Sequence, residues 1–268
     1  MNTAGDKRPS RLIADAVARI LHNSSLAVLA TLVAAPENVG AKILIEESGM
    51  RVGSLSDVEL DEAVAQHAAA FLDSRVEAAT FAAKDFAREL DTWTEARVLF
   101  ERIEPEPRVV VCGAGHVGAS LARLARLVNY RVTLVDDRAE FVARKLFPDQ
   151  GVELVAATDW REATRRAVGK GRGVYVAVVT RGHSEDEECL RSIIEAAPEY
   201  VGLIGSKRRT NIVLERLRAE GFDAERLKEV RAPIGLDIGA VSPEEVALAI
   251  LAEMIAVRRG GSGAPLSA

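Results

Sequence analysis

The 268-residue chain predicts an α/β protein, with a doubly wound parallel sheet in the order 3-2-1-4-5 behind a smaller N-terminal α/β domain. Three observations predict it. Five short apolar runs, at residues 109–112, 132–135, 152–156, 174–179 and 200–204, alternate with helical patterns, as strands buried on both faces of a parallel sheet do. A Gly-x-Gly-x-x-Gly segment follows the first run directly and opens an amphipathic helix. Pro105 and Pro107 break the chain just before that run, in a charged stretch that disfavours both helix and ladder. The expected organisation is therefore residues 1–104, residues 105–259 and a flexible tail at 260–268.

Taken in order, residues 11–21 predict a helix, with Leu12, Ala16, Ala18 and Ile20 among its apolar positions. The apolar run 26–35 is about half the length of a membrane span. Ser24 and Ser25 before it and Pro36 after it make it a buried strand. A strand follows at 42–46, and Ser48-Gly49 signals a hairpin turn into another. Ser56 and Glu59 have the spacing of a capping box, so Ser56 is the expected cap of an Ala-rich helix continuing over 60–72. His22 and His67 read as ordinary helix-surface residues, far from any metal-ligating cluster.

Composition excludes several classes. Apolar residues make up 48% of the chain, ample for a core, and the net charge is −5. Residues 1–107 hold 11 basic and 18 acidic residues (net −7), and the remainder 24 and 22 (net +2). Neither half has the basic excess of a nucleic-acid binder. No run is long enough for a membrane helix. Two cysteines, Cys112 and Cys189, are too few for a disulfide framework or a four-cysteine zinc site, which suits a reducing cytoplasm. Cys112 ends a buried strand and reads as inert packing.

The glycine segment is Gly113-Ala114-Gly115-His116-Val117-Gly118. In a Rossmann-like unit the first glycine makes the tight turn, the second admits a pyrophosphate, and the third lets helix and strand pack closely. The helix start then offers free N–H groups to an anion. Asp136 ends the second strand, with Asp137 and Arg138 beside it, where an acidic residue would meet ribose hydroxyls. In the order 3-2-1-4-5 the chain reverses direction between strands 1 and 4, and ligands bind there, outside the carboxyl ends of the strands. The loops reaching that switch point carry Arg181 and His183 after strand 4, and Gly205, Ser206 and Lys207 after strand 5. His116, Arg181, His183, Ser206 and Lys207 should therefore converge on one crevice. Cations at 207–209 are misplaced at a helix start unless an anion lies nearby. His183 has a second reading, as a cap of the helix that begins near Glu185.

Ser242, Pro243 and Glu245 make a strong helix start. The helix that follows, 246–257, is apolar nearly all round and should bury itself against the first domain or in a homodimer contact. No packing reason is evident for Gly235 and Gly239 in the loop before it, so a ligand or partner contact is a reading for them.

The segments VVVCGAGHVG, VTLVDDRAEF, VTRGHSED, YVGLIGSKRR and APIGLDIGAVSPEEVALAILAEM, spanning residues 109–259, resemble the XdhC/CoxI family of accessory factors for molybdenum hydroxylases such as xanthine dehydrogenase. LATLVAAPENVGAKILI and VGSLSDVELDEAV resemble its smaller domain more loosely. The resemblance implies a carrier that binds the molybdenum cofactor, as molybdopterin or its dinucleotide form. Such a carrier supports sulfuration by a cysteine desulfurase and inserts the cofactor into the apo-enzyme. Phosphate would sit at 113–118 and Lys207, and hydroxyl or pterin groups near Asp136 and His183. Family members commonly carry Gly-Gly-Cys-x-Glu in the smaller domain, and here Glu59 stands at the cysteine's place. A carboxylate is a poor sulfur carrier, which puts a thiolate role in doubt. Two other readings use the same crevice: an NAD(P)-dependent oxidoreductase with His183 as acid or base, and a nucleotide-sensing regulator.

Overall fold

The structure, a computed structural model, describes residues 9–169 and 173–267. It divides into two compact units, Met1–Pro105 and Glu106–Ala268.

The first unit is a five-stranded antiparallel sheet with a helix on each face. Its elements are α1 (Pro9–His22), β1 (Ala27–Ala34), β2 (Lys42–Glu46), β3 (Arg51–Ser54), α2 (Val58–Asp73), β4 (Ala78–Ala82), α3 (Ala83–Phe86) and β5 (Arg97–Ile103). The order is β3-β2-β1-β5-β4. β1 is central because it is apolar on both faces. One face packs with Ile13, Ala16 and Ile20 of α1, and the other with Leu60, Val64, Ala68 and Phe71 of α2. Sequence periodicity does not mark β4 or β5. β4 is Ala-rich, and β5 carries charges through the stretch expected to be a linker. Pairing with β1 overrides that composition, matching Leu29 with Glu101 and Ala27 with Ile103. Arg102 is satisfied there, donating to the Leu72 carbonyl at 2.6 Å and to Glu104 at 2.7 Å.

Two local expectations in this unit are corrected. Asp57 caps α2, not Ser56: its carboxylate accepts from Leu60 N at 2.8 Å and from Trp93 Nε1 at 3.1 Å, while Ser56 lies outside the helix at φ +75°. His67 is no surface residue either. Its ring lies 4.7 to 5.0 Å from those of Phe81, Phe86 and Phe100, and its Nε2 is buried without a hydrogen bond.

The second unit is the doubly wound domain. Its elements are β6 (Arg108–Cys112), α4 (His116–Leu127), β7 (Arg131–Asp136), β8 (Val152–Ala156), α5 (Trp160–Val168), β9 (Val174–Val178), α6 (His183–Ala196), β10 (Tyr200–Leu203), α7 (Lys207–Ala219), α8 (Ala224–Glu229) and α9 (Pro243–Arg259). All pairings in its sheet are parallel, in the order β10-β9-β6-β7-β8, which is the expected 3-2-1-4-5. One crossover departs from the alternation. Residues 137–151 contain turns and no helix, yet bury Val142 and Phe147 on the same face as α4. Arg144 holds that segment's end by donating to the carbonyls of Phe147 and Asp149 at 3.0 and 2.9 Å.

Helix α9 packs on α4 within this same unit, burying Ala247, Ile250, Leu251 and Met254 in the cluster that holds Leu121, Ala122 and Ala125. Much of its apolar composition thus serves its own domain. Of the two glycines in the loop before it, Gly235 has a packing reason, while Gly239, at φ +72°, has open space around its Cβ position. Ile234 lies so close to Gly202 that a Cβ there would collide with it. Gly235, at φ +100°, rests against the α9 backbone and donates to Glu253 at 2.9 Å.

Candidate functional site

The carboxyl ends of β6 and β9 form the switch point, and the glycine loop is built around it. Gly113 has φ +110°, and a Cβ there would lie 2.5 Å from the Val179 carbonyl oxygen, so only glycine fits between β6 and β9. A Cβ at Gly118 would run into the Gly113 carbonyl oxygen, which is how closely α4 meets the loop. Gly115 differs: nothing lies within 4 Å of where its Cβ would be. It is the N-cap of α4 and offers no side-chain cap, so no capping side chain satisfies the first helical N–H groups.

Helix α6 also starts on a glycine but is not open in the same way, since a Cβ at Gly182 would run into the Glu185 carboxylate. Gly182 is its N-cap, again without a side-chain hydrogen bond. The second reading of His183, as a cap, gives way: His183 is the first helical residue and is exposed. Elsewhere the caps are filled, by Asp57 on α2, Asp159 on α5, Ser206 on α7, Asp223 on α8 and Ser242 on α9. Among the described caps of helices with six or more residues, the two without a side-chain cap hydrogen bond are those flanking the switch point. His116, Lys207 and Arg208 are exposed at the starts of α4 and α7. No acidic residue pairs with Lys207 or Arg208 among the described residues. Arg181 is half-exposed and forks onto Asp137, at 3.1 and 2.8 Å, joining the loops after β9 and β7.

Asp136 is used differently from the expectation that it meets a ribose. It is 1% exposed. One carboxylate oxygen accepts from Ala114 N at 2.6 Å and Arg138 Nη2 at 2.9 Å, and the other from Arg138 N at 2.9 Å and Nε at 2.8 Å. Burial alone would raise its pKa, but the bonds from Arg138 and Ala114 hold it below the ordinary aspartate value. The Arg138 guanidinium also lies over the Phe141 ring, 3.7 Å from its centroid.

A second buried carboxylate lies beneath the loop after β9, and sequence reasoning missed it. Asp186 is fully buried, accepting from Thr180 Oγ1 at 2.5 Å and from Arg209 Nη2 at 2.8 Å. Burial pushes its pKa up, against the pull of those two donors. Arg209 therefore turns inward to tie α7 to α6, leaving Lys207 and Arg208 as the outward cations. Only the placement of an acid three residues into α6, below a strand-end threonine, hinted at this. Cys112 and Cys189 are both buried, on either side of Thr164 Oγ1 at 3.7 and 3.5 Å. Burial pushes the Cys189 thiol well up. No group of three acidic, histidine or cysteine residues suited to a metal ion exists among the described residues. No described helix is long and apolar enough to cross a membrane.

Residues 109–254 match the XdhC Rossmann domain, and residues 21–81 match the XdhC and CoxI family. The chain belongs to the XdhC/CoxI family. It is 31% identical over 157 residues to the uncharacterized protein YqeB of Escherichia coli, covering 59% of this chain and 28% of that one. It is 28% identical over 162 residues to a probable xanthine dehydrogenase subunit of Bacillus subtilis, covering 60% and 46%. Over 84 residues it is 34% identical to the molybdenum cofactor insertion chaperone PaoD of Escherichia coli, covering 31% and 26%. The chain thus spans less than half the length of these XdhC/CoxI relatives. A crystal structure of a xanthine dehydrogenase from Bacillus halodurans shares the fold, with TM-score 0.51 and 18% identity over 92% of this chain and 95% of that one.

Within the XdhC/CoxI smaller domain, Glu59 occupies the exposed first turn of α2. An acid is electrostatically favoured there by the helix dipole. Both cysteines of the chain lie in the other unit and are buried, so neither presents a thiol at the surface in its place.

Proposed function

We propose that this protein is a maturation factor for a molybdenum hydroxylase, carrying the molybdenum cofactor as cargo and inserting it into the apo-enzyme in the cytoplasm. The observation that carries the reading is the glycine-capped start of α4, with open space at Gly115, at the switch point of an XdhC-type domain. A phosphate or pyrophosphate on the cargo supplies the acceptors that the α4 start lacks. Lys207, Arg208 and the histidines at 116 and 183 add donors or positive charge from the surrounding loops. Gly115 leaves room for the phosphate to approach the backbone. Relatives named as a cofactor insertion chaperone and as part of a xanthine dehydrogenase support this cargo and this client.

Sulfuration in this proposal is done by a cysteine desulfurase acting on the bound cofactor. The persulfide stays on that partner, because Glu59 replaces the family cysteine and this chain's own thiols are buried. The test is mass spectrometry of ligands released from the full chain, purified from cells that make molybdopterin, alongside activation of a purified apo-hydroxylase. Molybdopterin should be recovered from the wild type, and Lys207→Ala and Gly115→Asp should each lower the recovery about tenfold or more. Recovery of ligand-free wild-type protein that also fails to activate the apo-enzyme would overturn the proposal.

A further inference from the structure

Asp136 occupies the place where dinucleotide folds read a ribose diol. An ionised carboxylate has roughly four acceptor positions, and here four donors fill them: Ala114 N, Arg138 N, Nε and Nη2. We infer that Arg138 determines ligand class at this crevice, excluding recognition through a ribose diol and leaving recognition to the phosphate.

A diol could bond to Asp136 only by displacing the Arg138 fork. That exchange replaces two charge-assisted bonds with hydroxyl bonds and leaves a 1%-exposed carboxylate without its counter-charge. It also pulls the guanidinium off Phe141, whose own N–H donates to the Arg138 carbonyl at 2.9 Å and fixes the turn. Ala114 N, one of the loop's N–H groups, is committed to the same carboxylate, so the phosphate is left with the groups from Gly115 onward. The selected ligand is a phosphate or pyrophosphate ester in which no sugar diol is read. A nicotinamide or adenine dinucleotide held by its ribose is excluded. The inference rests on the anion cradle of the proposed function, and deepens it.

The experiment is calorimetry of the full chain with pyrophosphate, ADP and 2′,3′-dideoxy-ADP, on the wild type, Arg138→Ala and Arg138→Lys. The wild type should bind pyrophosphate and show less than about threefold preference for ADP over its dideoxy analogue. Arg138→Ala frees the carboxylate and should raise that preference to about tenfold or more, the discrimination expected of a site that bonds a substrate hydroxyl. Arg138→Lys, which keeps the charge and loses the fork, should fall between. Pyrophosphate binding without either nucleotide also supports the inference. A wild-type preference for ADP above about threefold overturns it while leaving the proposed carrier intact, and so does a preference unchanged in every folded variant. If Arg138→Ala does not fold, the wild type and Arg138→Lys decide. Failure of all three ligands to bind the wild type removes the cradle, and both readings fall with it.

Discussion

At the scale of single residues, the three glycines of one motif do three separable jobs. Gly118 is needed for packing alone, since any Cβ meets the Gly113 carbonyl. Gly118→Ala should destabilise the second unit by about 2 kcal/mol or more, read as a fall in its chemical-denaturation midpoint. Gly115 has an ordinary φ of −64° and open space around it. Gly115→Asp should therefore leave the midpoint nearly unchanged while weakening pyrophosphate binding about tenfold or more, because it sets a carboxylate where the anion sits. A large loss of stability in Gly115→Asp would show that this glycine is structural after all. The motif's spacing is legible in sequence, but this division of labour is not. It depends on what lies opposite each Cα, and that is β9 for one glycine, the loop itself for another and solvent for the third.

At the scale of elements, α2 shows how a cap and a ring cluster are decided by contacts from elsewhere in the chain. Asp57 caps it and is gripped by Trp93, a residue 36 positions away. Asp57→Ala should cost about 1 to 2 kcal/mol in denaturation experiments. Ser56→Ala should cost under about 0.5 kcal/mol, the reverse of what the Ser56–Glu59 spacing suggests. The same helix carries His67 into a cage of phenylalanines. Burial lowers its pKa below the ordinary 6.5, and Asp85 offsets this only in part. The unfolded chain then binds more protons than the fold in the window between 6.5 and that lower value. This contribution to stability is therefore present above that window and lost as the pH falls through it. Equilibrium unfolding at about pH 7.5 and about 5.5 should show a loss on acidification that is smaller in His67→Leu than in the wild type. An equal loss in both would mean that His67 is not caged.

At the scale of the whole molecule, each unit holds its own buried clusters. Val28, Leu32, Leu60, Phe71 and Phe100 belong to the first, and the α4–α9 face and the α5–α6–α7 face belong to the second. Residues 106–268, expressed alone, should fold cooperatively and keep pyrophosphate binding, as judged by circular dichroism and calorimetry. An unfolded product would show that the second unit depends on the first. The division of charge has a matching sense: the net −7 lies in residues 1–107 and the net +2 with the crevice. The proposed phosphorylated cargo would thus meet the part of the chain that is not acidic.

The sequence by itself determined the doubly wound domain, its strand order and the glycine loop, and with them that the loops carrying Arg181, His183 and Lys207 leave the same end of the sheet. Those features follow from local patterns and from the few topologies that right-handed crossovers allow. The tertiary structure alone decided the placement of β4 and β5, the seating of α9 on α4 and the cage around His67. It also decided that Asp136 is filled by Arg138 and that Arg209 turns inward to Asp186. Each depends on which side chains meet across tens of residues, where burial makes an unpaired charge or an uncovered apolar face too costly to leave. No local periodicity encodes that pairing.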